Sequence, residues 1–124
     1  MLITFISLTG NVRNFVKSVE MRNLEVDFSN PLIEINEDFI IIVPTYDSEI
    51  TDIISELIEY KDNIKHLIGF VGSGSLNFDK DYCFNAKDLS NKYDKPLLFT
   101  FEFSGTNDDV VKFKKEVEEW NHQN

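Results

Sequence analysis

Five short apolar runs separated by stretches of helical periodicity constrain this chain more than any other feature. Leu2-Ile-Thr-Phe-Ile6 is β-branched and apolar, and reads as a first strand. Val12, Phe15, Val16 and Val19 follow at i, i+3, i+4 and i+7, one face of a helix. Leu24–Phe28 reads as a short second strand, while Ser29–Asp38 has no clear period and Pro31 argues against a central strand there. Phe39-Ile-Ile-Ile-Val43 is apolar without alternation, as a strand covered on both faces must be, and Pro44 stops it. Ile50, Ile53, Ile54, Leu57 and Ile58 form a second helical stripe, with Asp47 or Ser48 as its N-cap. His66–Val71 reads as a fourth strand closed by Gly72-Ser-Gly74. A weakly patterned helix follows over Asp81–Lys92, then a fifth strand over Leu97–Phe103. Thr106-Asn-Asp-Asp109 resembles a capping box, and Val110, Phe113, Val117 and Trp120 mark a last helix.

Strands alternating with helices predict one α/β domain over residues 1–124, a three-layer sandwich with helices on both faces of a five-stranded parallel sheet. Right-handed crossovers leave few topologies, of which the order 2-1-3-4-5 is the commonest. Ligands of such sheets bind beyond the carboxyl ends of the strands, where the order reverses. That places the loops after strands 1 and 3, with the loop after strand 4 beside them, at the expected site.

Charge narrows the partners. Twelve basic against 22 acidic side chains give 12 − 22 = −10, which repels phosphate backbones and anionic lipid, so neither nucleic acid nor a membrane surface is an expected partner. No apolar run approaches the roughly 20 residues of a membrane span. No secretory signal is visible, and the lone Cys83 makes no internal disulfide, so a reducing cytoplasm is the expected location. Cys83, next to Tyr82 and Phe84, is expected to be a small core residue. No Cys/His cluster suggests a metal site.

The first loop, Ser7-Leu-Thr-Gly-Asn-Val12, joins a buried strand to a helix N-terminus, where unpaired N–H groups suit an anion. Ser7 and Thr9 add hydroxyls, Gly10 permits close approach, and Asn11 can donate an amide. The loop has neither a Lys nor the glycine spacing of a P-loop or dinucleotide fingerprint, so a monophosphate held by neutral donors is the natural ligand. The bland alternative is an ordinary strand-to-helix turn in which Thr9 or Asn11 caps the helix. A phosphatase reading of Ser7…Arg13 fails for want of a thiolate, and a response-regulator reading fails because Pro44-Thr-Tyr46 stands where a phospho-accepting Asp would be. Tyr46 could stack on a planar ligand or pack over its own loop. Gly72-Ser-Gly-Ser-Leu-Asn-Phe-Asp79 adds backbone freedom and a second aromatic, Phe78.

At these residues the chain resembles a known family. Ser7-x-Thr-Gly-Asn-Val12 looks like the phosphate loop of flavodoxins, which bind flavin mononucleotide (FMN) at such a switch point. Pro44-Thr-Tyr46, Gly72-Ser-Gly…Asn77-Phe78, Tyr82-Cys83 and Phe101-Glu-Phe-Ser-Gly-Thr106…Asp109-Val110 together resemble the NrdI family, small flavodoxin-like proteins that assist class Ib ribonucleotide reductase. The likeness runs from residue 2 to about 120 and extends to the short length. It implies a flavodoxin-like fold and FMN as cofactor, with the phosphate on Ser7, Thr9, Gly10, Asn11 and Val12. The ring would lie between Pro44, Thr45 and Tyr46 on one side and Ser73, Gly74, Ser75, Asn77 and Phe78 on the other. In the family, reduced flavin reacts with dioxygen, and the oxidant passes to the small subunit to assemble a dimanganese–tyrosyl radical cofactor. Because the flavin carries that chemistry, no catalytic side chain is expected, whereas a flavin reductant is an expected partner. Two other readings stay open: a generic electron-transfer flavodoxin serving another redox enzyme, and a cofactor-free acidic adaptor on the same fold.

The loop after strand 4 departs from the family pattern Gly-Ser-Gly-Asn-Arg-Asn, aromatic, Gly. Ser75 replaces the Asn, Leu76 the Arg and Asp79 the last Gly. Removing a cation and adding an anion disfavours an anionic reduced flavin, so the hydroquinone couple should lie lower than in relatives with the full pattern. Spectroelectrochemical titration of Leu76→Arg should show the potential rise; an unchanged or lower value contradicts this reading.

Overall fold

The computed structural model describes residues 1–46, 48–75 and 82–123. Its elements are β1 (Leu2–Phe5), α1 (Asn11–Val19), β2 (Asn23–Glu25), β3 (Phe39–Pro44), α2 (Ser48–Glu59), α3 (Asn63–His66), β4 (Leu67–Gly74), α4 (Phe84–Tyr93), β5 (Leu97–Glu102) and α5 (Asn107–Gln123). The strands form one sheet in the order β2-β1-β3-β4-β5, every pair parallel. The predicted architecture and order are thus observed.

Side-chain alternation divides the interior in two. Phe39, Ile41 and Val43 of β3 pack with Ile50, Ile54, Leu57 and Ile58 of α2 and with Ala86 and Leu89 of α4. Ile40 and Ile42 face the other way, with Val12, Phe15, Val16 and Val19 of α1 and Phe113, Val117 and Trp120 of α5. On this second face Phe15 stacks on Phe101 of β5, ring centroids 3.9 Å apart, and meets Phe113 edge-on at 5.2 Å. Each such pair contributes about 0.5–1.5 kcal/mol beyond its buried area. Together they fix the start of α1 against the end of β5. The capping box opens α5 as expected: the Thr106 N–H donates to Asp109 Oδ2 at 2.8 Å, and the Asp109 N–H to Thr106 Oγ1 at 3.1 Å.

Several boundaries differ from the sequence reading. β2 covers Asn23–Glu25 rather than 24–28, because Asp27 folds back on itself, its Oδ1 accepting from the Ser29 N–H and hydroxyl. Ser48 is the first residue of α2 rather than its N-cap, and the other candidate, Asp47, lies outside the described residues. α4 starts at Phe84, after Cys83 at φ 55°. β5 ends at Glu102, one residue short of the expected Phe103.

Gly72-Ser73-Gly74 does not close the fourth strand but belongs to it. A Cβ on Gly72 would stand 2.8 Å from Cys83 Cβ and 3.1 Å from Ala86 Cβ, so this glycine lets α4 approach the sheet instead of making a turn. His66 is the last residue of α3, a turn of helix with no apolar period to announce it.

Asn63, fully buried at the start of α3, explains the segment that had no legible period. Its Oδ1 accepts from the Ile35 N–H at 2.7 Å, while Nδ2 donates to Ile33 O at 2.8 Å and Leu57 O at 2.7 Å. One side chain thus pairs three backbone groups and ties the irregular stretch to the end of α2. Asn63→Ala should cost roughly 3 kcal/mol, since truncation orphans buried polar groups. A urea-unfolding midpoint shift equivalent to less than about 0.5 kcal/mol, the scatter of ordinary surface changes, contradicts this.

Candidate functional site

The carboxyl ends of β1, β3, β4 and β5 converge on a crevice of ≈ 150 Å³. Ser7, Leu8 and Thr9 line it from the β1–α1 loop, Asn11 and Val12 from the first turn of α1, and Pro44, Thr45 and Tyr46 from the end of β3. Ser73, Gly74 and Ser75 complete it from β4, with Phe103 from beyond β5. Gly10 lies within the first loop but not on the lining. Asn77 and Phe78, together with the Leu76 and Asp79 departures, lie outside the described residues.

Each loop is held by identifiable bonds. Gly10 is the N-cap of α1, at φ 93° and with no side-chain cap bond, a conformation that suits glycine. Neither Thr9 nor Asn11 caps the helix. Asn11 Oδ1 instead accepts from the Ser104 hydroxyl at 3.0 Å, and Ser7 Oγ accepts from the Arg13 N–H at 3.2 Å. The ordinary-turn alternative, in its stated form, is therefore not what is seen. Ser7 Oγ thus takes the third N–H of α1, while the first two N–H groups, which have no partner within the helix, and the hydroxyls of Ser7 and Thr9 offer donors to an anion.

At the opposite wall, the Thr45 N–H and hydroxyl both donate to Ser73 O, at 2.9 and 2.7 Å. The Tyr46 N–H donates to Oδ1 of the fully buried Asn85 at 2.7 Å, leaving the ring about half exposed at the mouth. Asn85 thereby positions Tyr46 from α4. The Ser73 hydroxyl donates to Phe103 O at 2.8 Å, linking β4 to the turn after β5. Asn85 and Phe103 are not among the expected site residues: a single amide in a weakly patterned helix carries no signal, and Phe103, though within the Phe101–Thr106 motif, passes for the last residue of an apolar strand.

None of the described lining residues is charged, so the chain's acidity is not concentrated on this part of the wall. Arg13, at the start of α1, is committed elsewhere, donating to Glu25 Oε1 at 2.8 Å and Oε2 at 2.5 Å. That guanidinium holds the Glu25 carboxyl below its ordinary pKa, chiefly through the hydrogen bond. Cys83 is fully buried behind Gly74, and burial pushes its thiol up, which suits a packing role. Among the described residues no group of three or more His, Cys, Asp or Glu side chains could hold a metal ion, and no helix is long and apolar enough to cross a membrane.

A family model described as NrdI Flavodoxin like matches residues 3–115. Among solved structures, a flavodoxin of Streptococcus pneumonia TIGR4 matches with a TM-score of 0.67 at 21% identity, over 99% of this chain and 98% of that one. At that identity the likeness speaks for the fold.

Proposed function

The chain belongs to the NrdI flavodoxin-like family, and from that premise we propose that it is an FMN-binding flavoprotein that assists a class Ib ribonucleotide reductase. One observation carries the cofactor reading: a crevice at the order reversal, uncharged along its described lining, has the start of α1 at one end and a half-exposed aromatic residue at the other. The donors fit a phosphate. Ser7, Thr9, Gly10, Asn11 and Val12 would hold it through hydroxyls, the Asn11 amide and backbone N–H groups, without a cation. Pro44, Thr45 and Tyr46 on one side, and Ser73, Gly74, Ser75, Asn77 and Phe78 on the other, would border the ring.

A volume of ≈ 150 Å³ is smaller than the roughly 300–1,000 Å³ of an enclosing ligand pocket. A bound mononucleotide would keep part of its ring at the surface, as exchange with dioxygen, a reductant and a protein partner requires. When bound, FMN supplies redox chemistry and reaction with dioxygen, the source of the oxidant for the small subunit's dimanganese–tyrosyl radical. This chain's residues bind it, orient it and limit access to it. A cytoplasmic location accords with such a partner. The generic electron-transfer flavodoxin is the second reading, favoured by the nearly full-length likeness to a flavodoxin fold.

The two readings separate in one assay. Reduced, FMN-loaded protein, mixed with manganese-loaded small subunit and dioxygen, should generate the tyrosyl-radical signal in electron paramagnetic resonance. No signal from protein that carries FMN contradicts the reductase role and leaves the electron-transfer reading.

A further inference from the structure

Phe103 has a backbone that its side chain does not favour. Its φ is 51°, in the left-handed region where glycine, or failing that asparagine, is the ordinary occupant. The residue is 52% exposed, so its place is not explained by the core. Nor is the conformation a loose end of chain. The Phe103 N–H donates to Gly74 O at 3.0 Å, and its carbonyl accepts from the hydroxyl of Ser73, itself buried. The next residue, Ser104, reaches Asn11 at the start of α1. The turn is thus bonded to both β4 and the β1–α1 loop, and it sets an aromatic ring on the wall of the crevice between them. Unfavourable backbone conformations persist where the surroundings over-determine them, and they cluster at ligand sites.

We propose that Phe103 is a cofactor-contact residue that holds the organic part of the flavin, beyond its phosphate, by apolar contact. The assignment rests on the proposed function and adds a contact from the turn after β5, a fourth segment to a site otherwise formed by the loops after β1, β3 and β4. It also accounts for the residue type: Gly or Asn would relax the backbone but lose the contact.

Substitution separates conformation from contact. FMN affinity should be measured by fluorescence titration for the wild type and for Phe103→Gly, Phe103→Asn and Phe103→Leu. Gly and Asn suit the backbone and should melt no lower than the wild type without cofactor, yet bind FMN about tenfold more weakly. Leu suits the backbone less but keeps an apolar side chain, and should stay within about threefold of the wild type. Gly or Asn variants that bind as tightly as the wild type overturn the contact, as does a Leu variant no better than Asn. A wild type that binds no FMN overturns the proposed function itself, a result distinct from either.

Discussion

A central strand with no polar face leaves the chain little choice of architecture. Every residue from Phe39 to Val43 is buried, three side chains toward α2 and α4 and two toward α1 and α5. Leaving either face to water would expose several large aliphatic side chains, each worth about 1.5–3 kcal/mol of burial. Helices must therefore lie on both sides, and helices that link parallel strands must cross over them. With β1 beside β3 and β2 beyond it, the crossover direction reverses between β1 and β3. The crevice opens at that reversal.

What the fold supplies there is mostly backbone. The described wall carries no charge, and the Arg13 guanidinium of α1 is held by Glu25 on β2. An anion at this site would be met by hydroxyls and by the first turn of α1, which is held from beneath by Phe15, stacked on Phe101 and edge-on to Phe113. The opposite wall is fixed through Asn85, Thr45 and Ser73, so that Tyr46 and Phe103 stay half exposed without being loose. Core packing and site geometry are therefore continuous. The same aromatic ring that closes one face of the sheet sets the start of α1.

The parts of this arrangement legible in the sequence were those with short-range signals. Periods of 3.6 residues gave the faces of α1 and α2, the unbroken apolar run gave β3, and Thr106 with Asp109 gave the start of α5. The loop motifs, and the family resemblance they carried, pointed to the residues that the structure gathers from β1, β3 and β4. Signals that depend on distant partners were not legible. Gly72 looks like a turn residue until α4 is seen against it. Asn63 looks like a loop residue until it is seen bonded to Ile33 and Ile35, 30 and 28 positions earlier. Phe103 looks like the end of a strand until its positive φ and its place on the crevice wall are known.

A start of α1 and a Ser7–Val12 loop that hold a phosphate through neutral donors would select a mononucleotide. Parallel fluorescence titrations with FMN and with riboflavin, which differ only in that phosphate, test it most directly. FMN should quench tightly, and affinity for riboflavin should be lower by about a hundredfold or more, the equivalent of roughly two charge-assisted hydrogen bonds. Equal affinities, or no binding of FMN at saturating concentration, would contradict it.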